Sequence, residues 1–108
     1  HVSYDPSPND ILLGRGKPIQ QRPGNIRYRE MVEKHMNRYE EGNRGVKYAV
    51  TASIVYLLKE EGCRFLKETE DDGWVEVDEA TARSKISHAF RSRRNALQAT
   101  IKKRKSTS

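Results

Sequence analysis

Basic, amide and hydroxyl side chains recur at helical spacing in the last third of the 108-residue sequence. Residues three and four apart share one face of an α-helix, so this stripe would form a single polar face. Arginine can pair bidentately with guanine, asparagine or glutamine with adenine, and an α-helix fits the major groove of DNA. A face that reads nucleic acid and an ordinary solvated face are both compatible with the stripe, but the absence of any acid after Glu79 favours the first. The stripe comprises Ser84, Ser87, His88, Arg91, Arg94, Asn95, Gln98 and Lys102.

A second basic segment, from Gly14 to Asn25, contains three glycines, two prolines and three bases and is predicted to be a loop. Glycines let backbone N–H groups approach phosphates closely, and the loop leads to a predicted helix N-terminus, where anions are favoured. The residue spacing of a nucleotide-hydrolysing phosphate loop is absent. We therefore expect Arg15, Lys17 and Arg22 to clamp a nucleic-acid backbone.

The charges are segregated along the chain. It carries 21 Lys and Arg against 15 Asp and Glu, which gives a net charge of +6. Residues 11–29 contain five bases and no acid, residues 30–79 contain thirteen acids, and residues 80–108 contain nine bases and no acid. Such segregation is typical of polyanion binders, although a solvated basic tail has the same signature. The clusters Arg91–Arg94 and Lys102–Lys105 resemble nuclear-import patches, so we expect a nuclear protein.

Catalytic and metal-binding patterns are missing from the sequence. It lacks the H-E-x-x-H and G-x-S-x-G motifs, and its three histidines do not have metal-ligand spacing. Cys63 is the single cysteine, which excludes an internal disulfide and favours a reducing compartment. No apolar run approaches the roughly 18–20 residues that span a bilayer. We expect no catalytic residue, no metal, no cofactor and no membrane partner.

Hydrophobic periodicity and capping residues predict an α+β fold, with a winged-helix-like arrangement as one expectation. A first helix follows an N-cap at Asn25, a second stops at Gly62, and a long third helix follows a cap at Asp78. An acidic turn that contains Asp72-Gly73 separates two strands of a β-hairpin. Ile11–Leu13 is either a strand or a buried anchor. The predicted bounds are 26–41, 46–61 and 79 to past 100 for the helices, and 63–68 and 74–77 for the strands.

Apolar residues at helical spacing predict one core that the three helices share. Trp74 is the expected aromatic anchor of the hairpin. We expect residues 1–8 to be an extended lead-in, residues 9–101 to form one domain, and residues 102–108 to be a basic tail that frays. The predicted core stripes are Tyr28, Met31, Val32, His35, Met36 and Tyr39; Val50, Ile54, Leu57 and Leu58; and Ala82, Ile86, Ala89, Phe90, Leu97 and Ile101.

Five blocks of the sequence stand out as motifs. They are NDILLGRG at 9–16, PGNIRYR at 23–29, GCRFL at 62–66, GWVEV at 73–77 and ARSKISHAFR at 82–91. These blocks resemble a domain family of unassigned biochemical function that is abundant in diatoms and related stramenopile algae. The resemblance covers roughly residues 9–94 and implies a shared fold, but it implies no catalytic or binding residues.

Duplex DNA is the partner that these features favour, and we expect the domain to belong to a nuclear transcription regulator. A protein-interaction module is one alternative, because the long third helix could pair with a partner helix or with its own copy. Arg93 interrupts the apolar seam of that helix, however, and one short seam does not make a coiled coil. RNA is the other alternative, although no exposed aromatic pair on a strand is apparent for base stacking.

Overall fold

Helices and a small mixed sheet confirm the predicted α+β class. The computed structural model describes residues 3–71 and 73–106, with side chains as far as Lys102. The helix predicted after Asp78 is present and continues to Ser106, so residues 102–106 are helical where a fraying tail was predicted, and residues 107–108 lie outside the described range. The elements are β1 Ile11–Leu13, α1 Lys17–Gln20, α2 Pro23–Lys34, α3 Met36–Glu41, α4 Arg44–Glu60, β2 Phe65–Glu68, β3 Trp74–Glu76 and α5 Glu79–Ser106.

The sheet has the order β1-β2-β3. Strands β2 and β3 form the predicted antiparallel hairpin, in which Lys67 pairs with Val75. The short run Ile11–Leu13 is a strand, and it runs parallel to β2 with Ile11 opposite Phe65. The backbone N–H of Tyr4 also donates to the carbonyl of Trp74 at 2.7 Å, which ties the lead-in to the hairpin. The winged-helix likeness stays a prediction.

The predicted first helix is two helices, α2 and α3, separated at His35. The backbone of His35 has φ −103° and ψ 8°, outside helical geometry, and its Nδ1 lies 2.9 Å from the carbonyl oxygen of Met31. The predicted stripe lies in the core despite this break. All of its members are buried except His35, which is half-buried. The sequence pattern therefore identified the buried face correctly, although the helix is not continuous.

Asn25 is not the N-cap of α2, so that prediction is wrong. The helix begins three residues before its predicted start, at Pro23, a residue whose fixed φ suits the first helical position. Asn25 is fully buried in the first turn, where its Oδ1 accepts from the N–H of Leu12 and its Nδ2 donates to the carbonyl of Leu12, both at 3.0 Å. One side chain therefore pairs with β1 along its edge as a neighbouring strand would.

Gly24 lets α2 approach this strand. A Cβ at this position would lie 2.3 Å from the carbonyl oxygen of Asp10, a distance that real side chains do not tolerate. The N–H of Gly24 donates to the carbonyl of Pro8 at 2.9 Å. The approach of α2 to the segment before β1 thus requires a residue without a side chain.

Asp10 joins the same segment to β2. Its carboxylate is fully buried and accepts from Nε and Nη2 of Arg64 at 2.9 and 2.7 Å, and from the N–H of Ser7 at 2.7 Å. Burial alone would raise the pKa of the Asp10 carboxyl, but these hydrogen bonds outweigh it, and the pKa lies below its ordinary value. The guanidinium of Arg64 also covers the ring of Tyr4, 4.2 Å from its centroid.

The core lies between the helices and one face of the sheet. The rings of Tyr39 and Phe90 stack with centroids 4.0 Å apart, which fixes α5 against α3. Gly62 stops α4 with φ +88°, and Asp78 caps α5 by accepting from the N–H of Thr81 at 2.8 Å, as predicted. On α4, however, Leu57 is 41% exposed and Val55 is buried instead.

The stripe of α5 leaves the core after Phe90, so the predicted burial of Leu97 and Ile101 is wrong. Ala82, Ile86 and Phe90 are fully buried, whereas Leu97 is 40% and Ile101 is 54% exposed. The outer part of α5 is uncovered because α2 and α3 end beside Arg93 and Arg94, whereas α5 continues beyond them.

Replacing Asn25 with alanine removes both bonds to Leu12 and leaves two buried backbone groups without a partner. The free energy of unfolding should fall by about 2–6 kcal/mol, since each such group costs about 1–3 kcal/mol. Urea denaturation measures the loss. The matched control is Asn43→Ala, which removes an exposed N-cap that accepts from Val46 at 3.0 Å, and should cost about 1 kcal/mol. Equal losses for the two variants would contradict the role assigned to Asn25.

Asp10 should make stability depend on acid. Because its folded-state pKa lies below the ordinary 3.8, the ionised carboxylate stabilises the fold above that pH, and the contribution is lost as pH falls through the folded-state pKa. Asp10→Asn should therefore be less stable than wild type at pH 7, by about 1–3 kcal/mol, and the difference should shrink below about pH 4. Denaturation at both pH values, with exposed Asp5→Asn as control, checks this. A difference that is constant with pH would show that the charge of Asp10 does not matter.

Candidate nucleic-acid interface

The solvent face of α5 carries most of the predicted reading residues. We call this face the ridge; from Ser84 to Lys102 it extends over 18 residue-to-residue steps, about 27 Å at the rise of an α-helix. Ser87 at its side is half-buried. Nη2 of Arg91 lies 3.4 Å from Nδ1 of His88, so these two side chains meet on it. The exposed members are Ser84, His88, Arg91, Asn95, Gln98 and Lys102.

A groove of about 990 Å³ follows one side of the ridge, and we call it the first groove. The loop after β1 forms one wall with Arg15, and α5 forms the opposite wall with Ser84, Lys85 and His88. The predicted basic loop and the predicted basic helix thus line one depression, although about 70 residues separate them in sequence. The loop prediction is wrong in part, because Lys17–Gln20 form α1 and α2 begins at Pro23. Arg15 and His88 are both exposed to solvent.

The floor of the first groove belongs to α2 and contains acids as well as bases. Arg29 is held by Gln20, whose side-chain and backbone oxygens accept from its guanidinium, each at 2.6 Å. Glu30 and Glu33 also line the groove, and Glu33 pairs with Arg93. The positive charge of this groove therefore comes from the loop and from α5.

A second groove, of about 560 Å³, lies on the other side of α5 and is bounded by the start of α4. Arg44, Lys47 and Arg83 line it together with Ser84 and Ser87. Cation–π contacts place two of these bases. The guanidinium of Arg83 lies 5.0 Å from the ring centroid of Tyr48, and Nζ of Lys47 lies 5.3 Å from that of Tyr39.

Three of the predicted contacts lie elsewhere. Arg22 is half-buried and donates from Nη2 to the carbonyl of Ser7 at 2.6 Å, and its Nε is buried without a hydrogen-bond partner among the described residues. Lys17 is exposed on α1 but lines neither groove. Arg94 is half-buried at the side of the ridge, with Nη1 3.6 Å from Glu40. Of the three predicted clamp residues, the structure thus brings only Arg15 into a groove beside α5.

Six bases that line the grooves were missed by the sequence analysis, and two of them, Arg29 and Arg93, are held by Gln20 and Glu33. Lys85 and Arg83 lie on α5 beside the predicted stripe, one residue from Ser84, so a wider stripe would have included them. Arg44 and Lys47 lie on α4 within the acidic middle of the chain, and no local signal connects them to α5. Their position depends on the packing of α4 against α5.

The cysteine, the possible metal ligands and the helices were each compared with the requirements of other kinds of site, within the part of the chain that the structure describes. Cys63 is buried, and burial raises the pKa of its thiol, which disfavours the reactive thiolate. Within residues 3–71 and 73–106, no three His, Cys, Asp or Glu side chains are grouped to hold a metal ion. None of the described helices has both the length and the apolar character needed to cross a bilayer.

Comparison with known proteins gives one result. No curated protein sequence and no solved structure matches this chain significantly. The model of one family, described as a domain of unknown function (DUF6824), matches residues 10–92, which extend from the residue before β1 into the first half of α5. Because this match covers most of the chain, the protein belongs to the DUF6824 family.

Proposed function

We propose that this domain binds duplex DNA as part of a nuclear transcription regulator. In this proposal the ridge of α5 enters the major groove, and bases of the two flanking grooves contact the phosphates on either side. The clusters Arg91–Arg94 and Lys102–Lys105 would also serve nuclear import.

The observation that carries the proposal is a helix with a base-lined groove on each side. The major groove is about 12 Å wide and admits one α-helix, so the two strands that border it pass on the two sides of that helix. Arg15 and Lys85 line one side of α5, and Arg44, Lys47 and Arg83 line the other. A helix face that is only solvated does not require bases from a distant loop on one side and from a second helix on the other.

The proposal divides the contacts into two kinds. Arg91, Asn95 and Gln98 are exposed on the ridge and have the donors and acceptors that distinguish base pairs. The bases of the grooves would contact phosphates, which position a protein without reading sequence. Double-stranded RNA fits less well, because the deep and narrow major groove of an A-form helix does not admit side chains for reading.

Fluorescence anisotropy tests this function with a randomised duplex and its single strand, repeated across salt concentrations. If about five phosphates are neutralised, the logarithm of the binding constant should fall with that of salt at a slope of roughly −4 to −5. Selection of preferred sites should then enrich a motif. No binding at low salt would overturn the proposal. Preference for the single strand would replace duplex DNA with single-stranded nucleic acid, and preference for an RNA duplex of the same length would replace DNA with RNA.

Two variants separate the two kinds of contact. Arg44→Ala/Lys85→Ala removes one base from each groove and should weaken binding to every duplex while making the salt slope shallower by about 2. Asn95→Ala should instead reduce the preference for the selected motif over random DNA by about tenfold, and leave the slope unchanged.

The control for overall charge is Lys34→Ala/Lys59→Ala, which removes two exposed lysines that line neither groove. It should change affinity much less than Arg44→Ala/Lys85→Ala does, although the net charge falls by the same amount. Equal losses would mean that binding depends on net charge alone and that the grooves have no role.

A further inference from the structure

We propose that the outer half of α5 docks an acidic amphipathic helix of a partner protein along an apolar stripe formed by Leu97 and Ile101. We call residues 91–102 of this helix the arm. This inference concerns a different face of α5 from the ridge and does not depend on DNA binding.

The stripe continues the buried face of α5 beyond the domain. Leu97 and Ile101 lie seven and eleven residues after Phe90, which places them on the face that carries Phe90. Phe90 is fully buried, whereas Leu97 is 40% and Ile101 is 54% exposed. The same helical face is thus covered by the domain along its first half and uncovered along its second.

The residues at the edge of the domain indicate what kind of surface covers this face. Arg93 pairs with Glu33 of α2, and Nη1 of Arg94 lies 3.6 Å from Glu40 of α3. The covered half of α5 therefore packs against helices that place apolar side chains against it. Near their C-terminal ends, these helices carry the carboxylates that pair with Arg93 and Arg94. A partner that continues this covering needs apolar side chains opposite Leu97 and Ile101, and acids beside them.

The charge of the arm selects the partner. Arg91, Arg93, Arg94 and Lys102 lie on it, three further bases follow at positions 103–105, and the sequence contains no acid after Glu79. A second copy of the arm would place bases against bases, which is destabilising along paired helices. An acidic helix avoids this repulsion, and its carboxylates can pair with the bases of the arm that Glu33 and Glu40 do not already hold, so the complementary partner is acidic.

The stripe and the ridge occupy different sides of the arm. At 100° per residue, Leu97 and Ile101 lie about a third of a turn around the helix from the ridge residues Asn95, Gln98 and Lys102. A docked helix would therefore leave the ridge accessible, and the two kinds of binding can be measured separately on the same protein.

The test uses a fluorescein-labelled synthetic peptide in which leucines recur every three to four residues and glutamates fill the other positions. A peptide of the same composition in scrambled order has no apolar face and serves as the ligand control. Anisotropy at low salt should show that the whole chain binds the amphipathic peptide more tightly than the scrambled one. Equal affinity for both would overturn the proposal, because bare charge would then explain binding.

Leu97→Ser/Ile101→Ser removes the apolar stripe and preserves the charge of the arm. It should weaken binding of the amphipathic peptide by about tenfold, since two partly exposed apolar side chains lose their burial in the complex. The matched control is Ala96→Ser/Ala99→Ser, which changes two exposed positions of the arm outside the stripe and should have little effect. Thermal melting should be unchanged in both variants, because none of the four side chains belongs to the core.

Three outcomes decide the matter. Loss of peptide binding in Leu97→Ser/Ile101→Ser, with unchanged affinity for duplex DNA, supports the docking stripe. Unchanged peptide binding in that variant overturns it. If the wild type sediments as a dimer, the same variant sediments as a monomer, and the peptide does not bind, then the stripe contacts a second copy of the chain instead.

Discussion

The arrangement of the domain depends on one junction, where the first turn of α2 is pressed against β1. A strand at the edge of a sheet has backbone groups that no other strand satisfies, and burying them without partners is costly. The side-chain amide of Asn25 satisfies both groups of Leu12, and Gly24 allows the close approach that this requires. Because β1 and α2 are fixed to each other, the loop between them is held at both ends, and Arg15 is thereby kept beside α5.

The residues that form this junction come from three of the five motif blocks of the sequence. The block at 9–16 supplies β1, the block at 23–29 supplies Gly24 and Asn25, and the block at 62–66 supplies Arg64, which holds Asp10. Three blocks that are distant in sequence thus meet around β1 through two sets of hydrogen bonds, those of Asn25 with Leu12, which are buried, and those of Arg64 with Asp10, which are partly buried. The family match ends at residue 92, so it covers this network but not Asn95, Gln98 or Lys102. Membership of the family therefore describes the scaffold, whereas the outer half of α5 needs its own experiments.

Local sequence signals predicted most of the helices and strands. The errors arose at residues whose position depends on a contact with a residue that is distant in sequence. The C-terminal glycine of α4, the cap at Asp78 and the hairpin depend on neighbours within a few residues, and all three are confirmed. Asn25 has the local appearance of an N-cap, but its partner is 13 residues away on β1. Arg94 was expected on the free face because helical spacing does not show that Glu40 lies beside it. The burial of Leu97 likewise depends on where the neighbouring helices end.

The parallel pairing of β1 with β2 has a consequence for how the chain reaches this structure. Ile11 pairs with Phe65, and Asp10 with Arg64, across 54 positions of sequence. Closing so long a loop costs conformational entropy before the contacts that compensate it can form, so such pairings form late in folding. The helices α2 to α4 lie within this loop and can assemble first from local contacts. On a ribosome, the segment that contains β1 must therefore wait for β2 to emerge, and the basic loop acquires its fixed position only after that.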